Sequence, residues 1–175
     1  PAIVIGTSHL ESLNHGPTRH AQLALSVDWL QERAAAEIGP VADILFCGDT
    51  NFMPSDGAPR LPIGWVDAAS ALHAANAEAT FDVQRNEMVA RMDAWAKVNH
   101  ARVRFDRMFV QPRDWALSAF ELVGTDAIAS SSGWWPSDHF GVLLCMVASS
   151  APVGMKAPAR KLFSPPGNAC GCILS

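Results

Sequence analysis

The chain has 175 residues, which suits one domain and a tail, and 49% of them are hydrophobic, enough to bury a core. The net charge of −4 is unevenly placed, because three cations after Ser149 leave the rest of the chain at −7. Such an acidic body excludes general electrostatic attraction to nucleic acid, so any phosphate must bind at a local site.

Hydrophobic patterns predict alternating strands and helices in the first half of the chain. Residues 2–5 form a short apolar run typical of a strand, and Thr18 is a candidate cap for a helix that ends at residues 39–40. The helix has apolar residues at helical spacing: Leu23, Val27, Leu30, Ala34 and Ile38. A second buried strand is predicted over residues 43–47, and a second helix over residues 65–77.

The second half is predicted to contain one more helix and three strands. The helix covers residues 86–98, and alternation with a period of two predicts a strand over residues 103–110. Residues 115–122 are expected to pair with that strand. The nearly continuous apolar run at residues 140–147 predicts a strand that is buried on both faces.

These elements indicate an α/β domain over residues 1–148, with its last strands in an antiparallel arrangement. Residues 149–175 are rich in Pro, Ala and Gly and are predicted to form a flexible tail. Cys47 and Cys145 lie in apolar runs and are expected to be buried. The cysteine spacing is not that of a disulfide framework and no signal peptide is visible, which favours an intracellular protein.

Ionisable and polar side chains collect in four short blocks, each at the end of a predicted strand or within one. Taken singly, each block is explained by turn chemistry, a structural ion pair or a satisfied histidine. Together they place carboxylates, imidazoles and amides where they can converge on one pocket. The blocks are residues 7–12 with His9 and Ser12, residues 46–51 with Asp49 and Asn51, residues 103–109 with Asp106, and residues 136–141 with Asp138 and His139.

In this order and spacing the blocks resemble the endonuclease/exonuclease/phosphatase superfamily, which has the DNase I-like fold. Within it they most resemble the 5′-tyrosyl-DNA phosphodiesterases, over about residues 2–147 and including Thr80-Phe81-Asp82. The resemblance implies a two-sheet α/β sandwich of which this chain supplies about the second half. The missing N-terminal half would contribute an Asn and a metal-binding Glu. We therefore expect residues 1–175 alone to expose the inner face of a sheet and to lack hydrolytic activity.

The resemblance also implies a phosphodiesterase that depends on Mg²⁺, with Mn²⁺ as the alternative ion, because hard oxygen ligands and phosphate suit these cations. Asp49 would orient and deprotonate the attacking water. Asp49 and Asp138 would hold the metal, directly or through water. Asn51 would bind that water or the scissile phosphate.

Four further residues are implied in phosphate binding and transition-state stabilisation. His139 would donate to a non-bridging oxygen of the phosphate and stabilise the charge of the transition state. Asp106 would accept a hydrogen bond from His139 and favour its charged form. His9 would contact the phosphate, with Ser12 beside it.

The implied substrate is a phosphodiester at a nucleic-acid end or a phosphotyrosyl adduct, as in DNA repair. Asn14 departs from the tyrosyl-DNA pattern, which has an Arg there, and a neutral amide cannot replace a bidentate cation. Trp134 and Trp135 are candidates for stacking on a base, or for packing their loop against the body. The alternatives are a membrane-tethered phosphoesterase acting on inositol phosphates or sphingolipid headgroups, and a non-catalytic prenylated remnant.

The last four residues, 172–175, fit the Cys-aliphatic-aliphatic-X pattern of prenylation, and the terminal Ser points to farnesyl. One prenyl chain holds a protein weakly, so a palmitoyl group on Cys170 or the cations Lys156, Arg160 and Lys161 would have to assist. The alternatives are an unmodified end or adventitious metal binding by the two cysteines. We expect membrane association if Cys172 is modified, and a nuclear or cytoplasmic protein otherwise.

Overall fold

Two larger sheets, a two-stranded ribbon and a long helix make up the fold in the computed structural model. The structure describes residues 2–12, 14–38, 43–74, 79–92, 94, 96, 99–129, 133–149 and 169–174. The strands are β1 (Ile3–Thr7), β2 (Asp43–Asp49), β3 (Val66–Asp67), β4 (Phe81–Asp82), β5 (Arg102–Val103), β6 (Asp106–Gln111), β7 (Trp115–Val123), β8 (Gly141–Ala148) and β9 (Ala169–Leu174). The helices are α1 (Gly16–Glu37), α2 (Ala68–Ala71) and α3 (Glu87–Met92), with a 3₁₀ turn at Pro54–Asp56.

The first sheet has the strand order β1-β2-β6-β3, and α1 covers one of its faces. Strand β1 is parallel to β2, whereas β6 is antiparallel to both β2 and β3. The predicted stripe of α1 is buried against this sheet at Leu23, Val27, Leu30 and Ala34. The helix starts at Gly16 rather than after Thr18, because Pro17 fits the first turn, where its missing N–H is not needed. Ile38 ends the helix and is 43% exposed, so it is not part of the stripe.

The second sheet contains β7, β8 and β9, all antiparallel, and packs on the other face of the first sheet. The core between the sheets contains Leu45, Cys47, Met108 and Val110 from the first sheet, and Phe120, Val142, Leu144 and Met146 from the second. The predicted α/β class and the antiparallel last strands are confirmed. The expected exposure of an inner sheet face is wrong for these strands, because β7 and β8 cover the first sheet within the same chain.

Three predicted elements differ from those observed, each because a distant segment pairs with the local one. The helix expected over residues 65–77 is strand β3 followed by the short α2, since Val66 and Asp67 pair with β6. The strand expected over residues 103–110 is divided between β5 and β6, which belong to different sheets. Residues 115–122 pair with β8 rather than with that strand.

The strand predicted over residues 140–147 is β8, but only one of its faces is fully buried. Val142, Leu144 and Met146 face the core between the sheets, while the alternate side chains, including Cys145, are partly exposed. A continuous apolar run in the sequence therefore does not show whether one face or both faces of the strand are buried.

The tail is described only at β9, which pairs with β8 along its length. The strand lies where the sequence predicts part of a flexible tail, and residues 150–168 lie outside the described residues. In the part of the chain that the structure describes, no helix has both the length and the apolar character needed to cross a bilayer.

Candidate active site

The two sheets bring two carboxylates and an imidazole together at one end of the sandwich. Asp49 ends β2 and lies directly opposite Asp106, the first residue of β6. His139 lies just before β8 in the second sheet, and its Nδ1 is 2.7 Å from Oδ2 of Asp106. One ligand atom from each of Asp49, Asp106 and His139 lies within 4.8 Å of the others. These three residues are candidate catalytic residues, and we call them the catalytic cluster.

His9 and Asn51 lie beside the catalytic cluster. The amide Nδ2 of Asn51 is 2.9 Å from Nε2 of His9 and donates to the carbonyl of Leu10 at 3.1 Å. The backbone N–H of Asn51 donates to Oδ1 of Asp49 at 3.0 Å, and its φ of 52° lies in the left-handed region that Asn tolerates. Nε2 of His9 is 3.6 Å from Oδ2 of Asp49, and the His9 side chain is 69% exposed. A ligand from solvent can therefore reach His9.

Gly48 allows the loop that carries His9 to approach β2. Its φ is +148°, and a Cβ at this position would lie 2.0 Å from the backbone oxygen of Ser8. The backbone N–H of Ser8 donates to the carbonyl of Cys47 at 3.2 Å. Any side chain at position 48 would push residue 8 away and with it the neighbouring imidazole.

Thr80 holds both halves of the Asp106–His139 pair, a role that sequence reasoning missed. Its buried Oγ1 accepts hydrogen bonds from the backbone N–H of Phe105 at 3.1 Å and of Asp106 at 3.0 Å. Its carbonyl accepts from the backbone N–H of Phe140, next to His139, at 2.7 Å. The only sequence signal was its place in the Thr80-Phe81-Asp82 block, since no spacing rule predicts these bonds.

The loop before β8 is fixed by a second buried side chain, Asn86. Its Nδ2 donates to the carbonyls of Ser137 at 2.9 Å and of Asp138 at 3.3 Å. The rings of Phe81 and Phe105 lie 5.2 and 5.9 Å from that of His139, so the imidazole is packed as well as hydrogen-bonded. These contacts preorganise the ring for one orientation.

Burial and neighbouring charge shift the pKa values of two cluster residues. Burial, reinforced by the charge of Asp106, raises the pKa of Asp49 above its ordinary 3.8, against the lowering effects of His139, the Asn51 N–H and His9. Burial acts to lower the pKa of His139. The hydrogen bond that Asp106 accepts from the ring and the negative charges of Asp106, Asp49 and Asp138 outweigh that effect and raise the pKa above 6.5. The cluster therefore favours a protonated imidazole beside a basic carboxylate.

The donor set of the cluster fits a divalent cation. Asp49 and Asp106 are two partly or fully buried carboxylates at close range, and their repulsion contributes to the raised pKa of Asp49. A cation beside Asp49 would relieve that repulsion, and carboxylate oxygen is the ligand that Mg²⁺ and Mn²⁺ prefer. Asp106 already accepts the hydrogen bond from His139, which leaves Asp49 as the cluster residue best placed to hold the ion.

The remaining predicted site residues differ in their burial and in the groups that they contact. Asp138 is partly buried, accepts from the Ser137 hydroxyl at 3.2 Å and is near enough to raise the pKa of His139. Ser12 is exposed and lies outside the contacts described above. Trp135 packs on Phe140 with ring centroids 5.8 Å apart, which favours the packing role, whereas Trp134 is 56% exposed, as a stacking platform requires.

The chain is similar to known proteins at the level of solved structures. No protein-family model and no curated protein sequence matches the chain. Truncated Caenorhabditis elegans TDP2 matches with 28% identity and a TM-score of 0.62, over 80% of this chain and 52% of that one. D. rerio TDP2 complexed with single strand DNA product matches with 26% identity and a TM-score of 0.60, over 81% of this chain and 54% of that one.

A more distant likeness shows the fold alone. The Bacteroides thetaiotaomicron mannosyl-6-phosphatase Bt3783 matches with 18% identity and a TM-score of 0.53, over 82% of this chain and 50% of that one. The chain thus has the DNase I-like fold of TDP2 and of the endonuclease/exonuclease/phosphatase superfamily, as its motifs predict. It spans about half the length of the TDP2 chains that it matches.

Removing the Thr80 hydroxyl should destabilise the cluster more than removing the Thr80 methyl group. In Thr80→Val the backbone N–H groups of residues 105 and 106 lose their acceptor, at about 1–3 kcal/mol for each buried N–H. Thr80→Ser keeps the hydroxyl and should cost roughly 1 kcal/mol for the lost methyl. Urea unfolding of both variants measures this difference, and the chemical shift of the His139 ring should move in the Val variant alone. Equal losses in the two variants would show that the hydroxyl does not hold the cluster.

The imidazole of His139 should titrate above pH 6.5 in metal-free protein, and Asp106→Asn should lower its pKa, because the hydrogen bond and the charge of Asp106 both raise it. By linkage, the raised pKa adds stability at low pH that is lost as the pH rises through the folded-state pKa. NMR titration of the ring protons measures the shift. Asp126→Asn, at an exposed carboxylate, is the control. An unchanged midpoint in Asp106→Asn would contradict the assigned coupling.

Proposed function

We propose that this chain carries the catalytic cluster of a metal-dependent phosphodiesterase of the 5′-tyrosyl-DNA phosphodiesterase type. The observation that carries this proposal is the convergence of Asp49, Asp106 and His139, with His9 and Asn51 beside them. The motif resemblance and the structural likeness to TDP2 support the same type of protein. Since the chain spans about half of those TDP2 chains, we propose that a preceding half supplies the further Asn and Glu of the complete domain.

In the proposed reaction Asp49 is the general base. Burial raises its pKa and so makes its carboxylate a better proton acceptor near neutral pH. Asp49 takes a proton from the water that attacks phosphorus, while the bond from phosphorus to the leaving oxygen breaks and that oxygen departs as a phenolate or an alkoxide that solvent protonates. Asn51 lies between Asp49 and His9, where its amide can orient that water or a phosphate oxygen.

His139 stabilises the charge that develops on the phosphate. In its protonated form Nδ1–H donates to Asp106, which leaves Nε2–H free to donate to a non-bridging phosphate oxygen. Asp106 is a positioning residue, because it fixes the ring and favours its charge without touching the phosphate. His9, which is largely exposed, would contact the phosphate from the solvent side.

A Mg²⁺ or Mn²⁺ ion held by Asp49, with Asp138 nearby, would supply positive charge to the phosphate when bound. The proposed substrate is a phosphodiester at a nucleic-acid end or a phosphotyrosyl adduct. The single strand DNA product in D. rerio TDP2 supports this choice, and exposed Trp134 offers a face on which a base could stack.

Substitutions in the cluster should remove the activity of the complete domain. In a polypeptide that joins the preceding half to residues 1–175, Asp49→Asn and His139→Ala should each lower kcat by about 10²–10⁴-fold, because they remove a base and a transition-state donor. Asp106→Asn should cost less, since it acts through His139. The assay is Mg²⁺-dependent hydrolysis of a 5′-tyrosyl oligonucleotide, and residues 1–175 alone should show none.

Two matched controls separate chemistry from folding. His15→Ala and Asp126→Asn change an exposed imidazole and an exposed carboxylate and should retain full activity. Near-normal turnover by Asp49→Asn would refute the mechanism. Turnover of inositol phosphates in place of the oligonucleotide would keep the cluster chemistry and overturn the substrate.

We also propose that Cys172 is farnesylated and that the modified protein associates with membranes. The sequence Cys172-Ile173-Leu174-Ser175 supports this, as do Cys170 and the three cations of the tail. Cys172 lies within β9, whose backbone pairs with β8, so this pairing must open before a prenylating enzyme can bind the terminus.

Cys172→Ser should move the protein from the membrane to the soluble fraction of a host that farnesylates proteins. Cys170→Ser should weaken attachment only in part, because the prenyl chain and the cations remain. Cell fractionation together with intact-mass analysis of the C-terminal peptide measures both effects. An unmodified Cys172 peptide in such a host would eliminate the membrane proposal and leave the cluster chemistry untouched.

A further inference from the structure

A cavity lined by both polar and apolar residues lies on the α1 side of the first sheet, away from the catalytic cluster. Its volume is about 510 Å³, and it is lined by residues 52–54, 57–59 and 61, by Asp67 of β3 and Ser70 of α2, and by residues 102–104, 107 and 109. Phe109 lines it and belongs to the core under α1, whereas Asp106 shares a strand face with Met108 in the core between the sheets. The cavity and the cluster therefore lie on opposite faces of β6.

The charged side chains that line this cavity carry more positive than negative charge. Arg104 forms a two-pronged pair with Asp67, with Nη1 at 3.0 Å from Oδ1 and Nη2 at 2.8 Å from Oδ2. Arg107 donates from Nη1 to the same Oδ2 at 3.1 Å. Two guanidinium groups thus share one carboxylate. Arg102 also lines the cavity, and the buried Asp82 that pairs with it does not.

Arg107 keeps unused donor capacity. Its side chain is 13% exposed, and its Nε is buried without a hydrogen-bond partner among the described residues. Burial, then the charge of Arg104, lower the pKa of Arg107 to about 10, against the raising effect of Asp67, so it remains charged at neutral pH. An unsatisfied buried N–H beside an excess positive charge is costly unless an anion approaches it.

We propose that Arg104 and Arg107 form a binding site for a phosphate group in this cavity. Guanidinium forks match the oxygen geometry of phosphate, and an anion here would neutralise the charge that Asp67 leaves uncompensated. The body of the chain is acidic, so an excess of positive charge at one cavity is the kind of local site at which such a chain can bind phosphate. The site is independent of whether the catalytic cluster hydrolyses phosphodiesters.

The phosphate group that binds this site has two candidate sources, a free phosphate ion and a phosphate within a nucleic-acid strand. The second source is included because Met53 lines the cavity and is two residues from Asn51, which lies beside the cluster. A strand bound at the cluster and a phosphate in the cavity would then contact the same loop.

Calorimetric titration of residues 1–175 with inorganic phosphate, against chloride of equal ionic strength, tests the site. The titration is made in His139→Ala, so that phosphate binding at the catalytic cluster is weakened and the failure of one site is not mistaken for failure of the other. In this background Arg104→Met should weaken phosphate binding about tenfold or more, because one charged fork is lost. Arg107 still pairs with Asp67 in this variant, and circular dichroism checks the fold. Arg33→Met, at an exposed cation on α1, should leave binding unchanged.

Asp67→Asn should change the phosphate affinity in the opposite direction. This test does not depend on removing a cation. The amide can still accept from the N–H of Ser70 at the start of α2, but it no longer neutralises the two guanidinium groups. Phosphate affinity should rise, and phosphate should raise the melting temperature of this variant more than that of its Asp67 parent. A purely structural ion cluster would show no phosphate binding in His139→Ala, or binding that neither Arg104→Met nor Asp67→Asn alters, and either result overturns the proposal.

A four-nucleotide oligothymidylate distinguishes the two sources. If the oligothymidylate competes with phosphate, and Arg104→Met abolishes that competition, the result supports a phosphate within a strand. Absence of competition, with phosphate binding still dependent on Arg104, supports a free phosphate ion. Both results keep the phosphate site.

Discussion

The geometry of the catalytic cluster depends on the hydrogen bonds of one buried residue, Thr80. Its hydroxyl holds the backbone of residues 105 and 106 in the first sheet, and its carbonyl holds residue 140 at the start of the second. Sliding one sheet past the other would separate Asp106 from His139 and would leave buried N–H groups unpaired, at about 1–3 kcal/mol each. The 2.7 Å contact between them is therefore a consequence of backbone bonding around Thr80 as well as of their own attraction.

The same burial that aligns the cluster sets its electrostatics. The core between the sheets ends at Asp49 and Asp106, so these carboxylates meet the edge of an apolar layer rather than bulk water. Desolvation raises the pKa of Asp49, whereas the hydrogen bond to Asp106 and the charges of Asp106, Asp49 and Asp138 outweigh the desolvation of His139 and raise its pKa. One packing arrangement thus favours a basic carboxylate and a protonated imidazole at once, because burial raises the pKa of Asp49 and the charge of Asp49 helps to raise the pKa of His139.

The sequence places Asp49 and His139 beside predicted buried strands, which are readable from local patterns, whereas Asp106 is found through its place in the ordered blocks. Sequence reasoning did not find Thr80 or Asn86, whose roles rest on bonds to backbone groups far along the chain. The helix expected over residues 65–77 failed for a related reason: the pairing of β3 with β6 is long-range and overrides local periodicity. Likewise, Arg107, next to Asp106 in β6, pairs with Asp67 because neighbouring side chains of a strand point to opposite faces. Arg104 joins the same pair from the segment between β5 and β6.

The contacts that position the cluster lie within this chain, although the chain spans about half of the TDP2 chains that it matches. Asp106 is held by Thr80 and His139, Asp49 by the Asn51 N–H, and the loop before β8 by Asn86. Both sheets that carry these residues also pack on each other without a further segment. If the chain alone proves inactive, the physical cause should therefore be sought in missing metal or substrate ligands rather than in a displaced His139. A coupled Asp106–His139 titration in the inactive chain would be the signature of that situation.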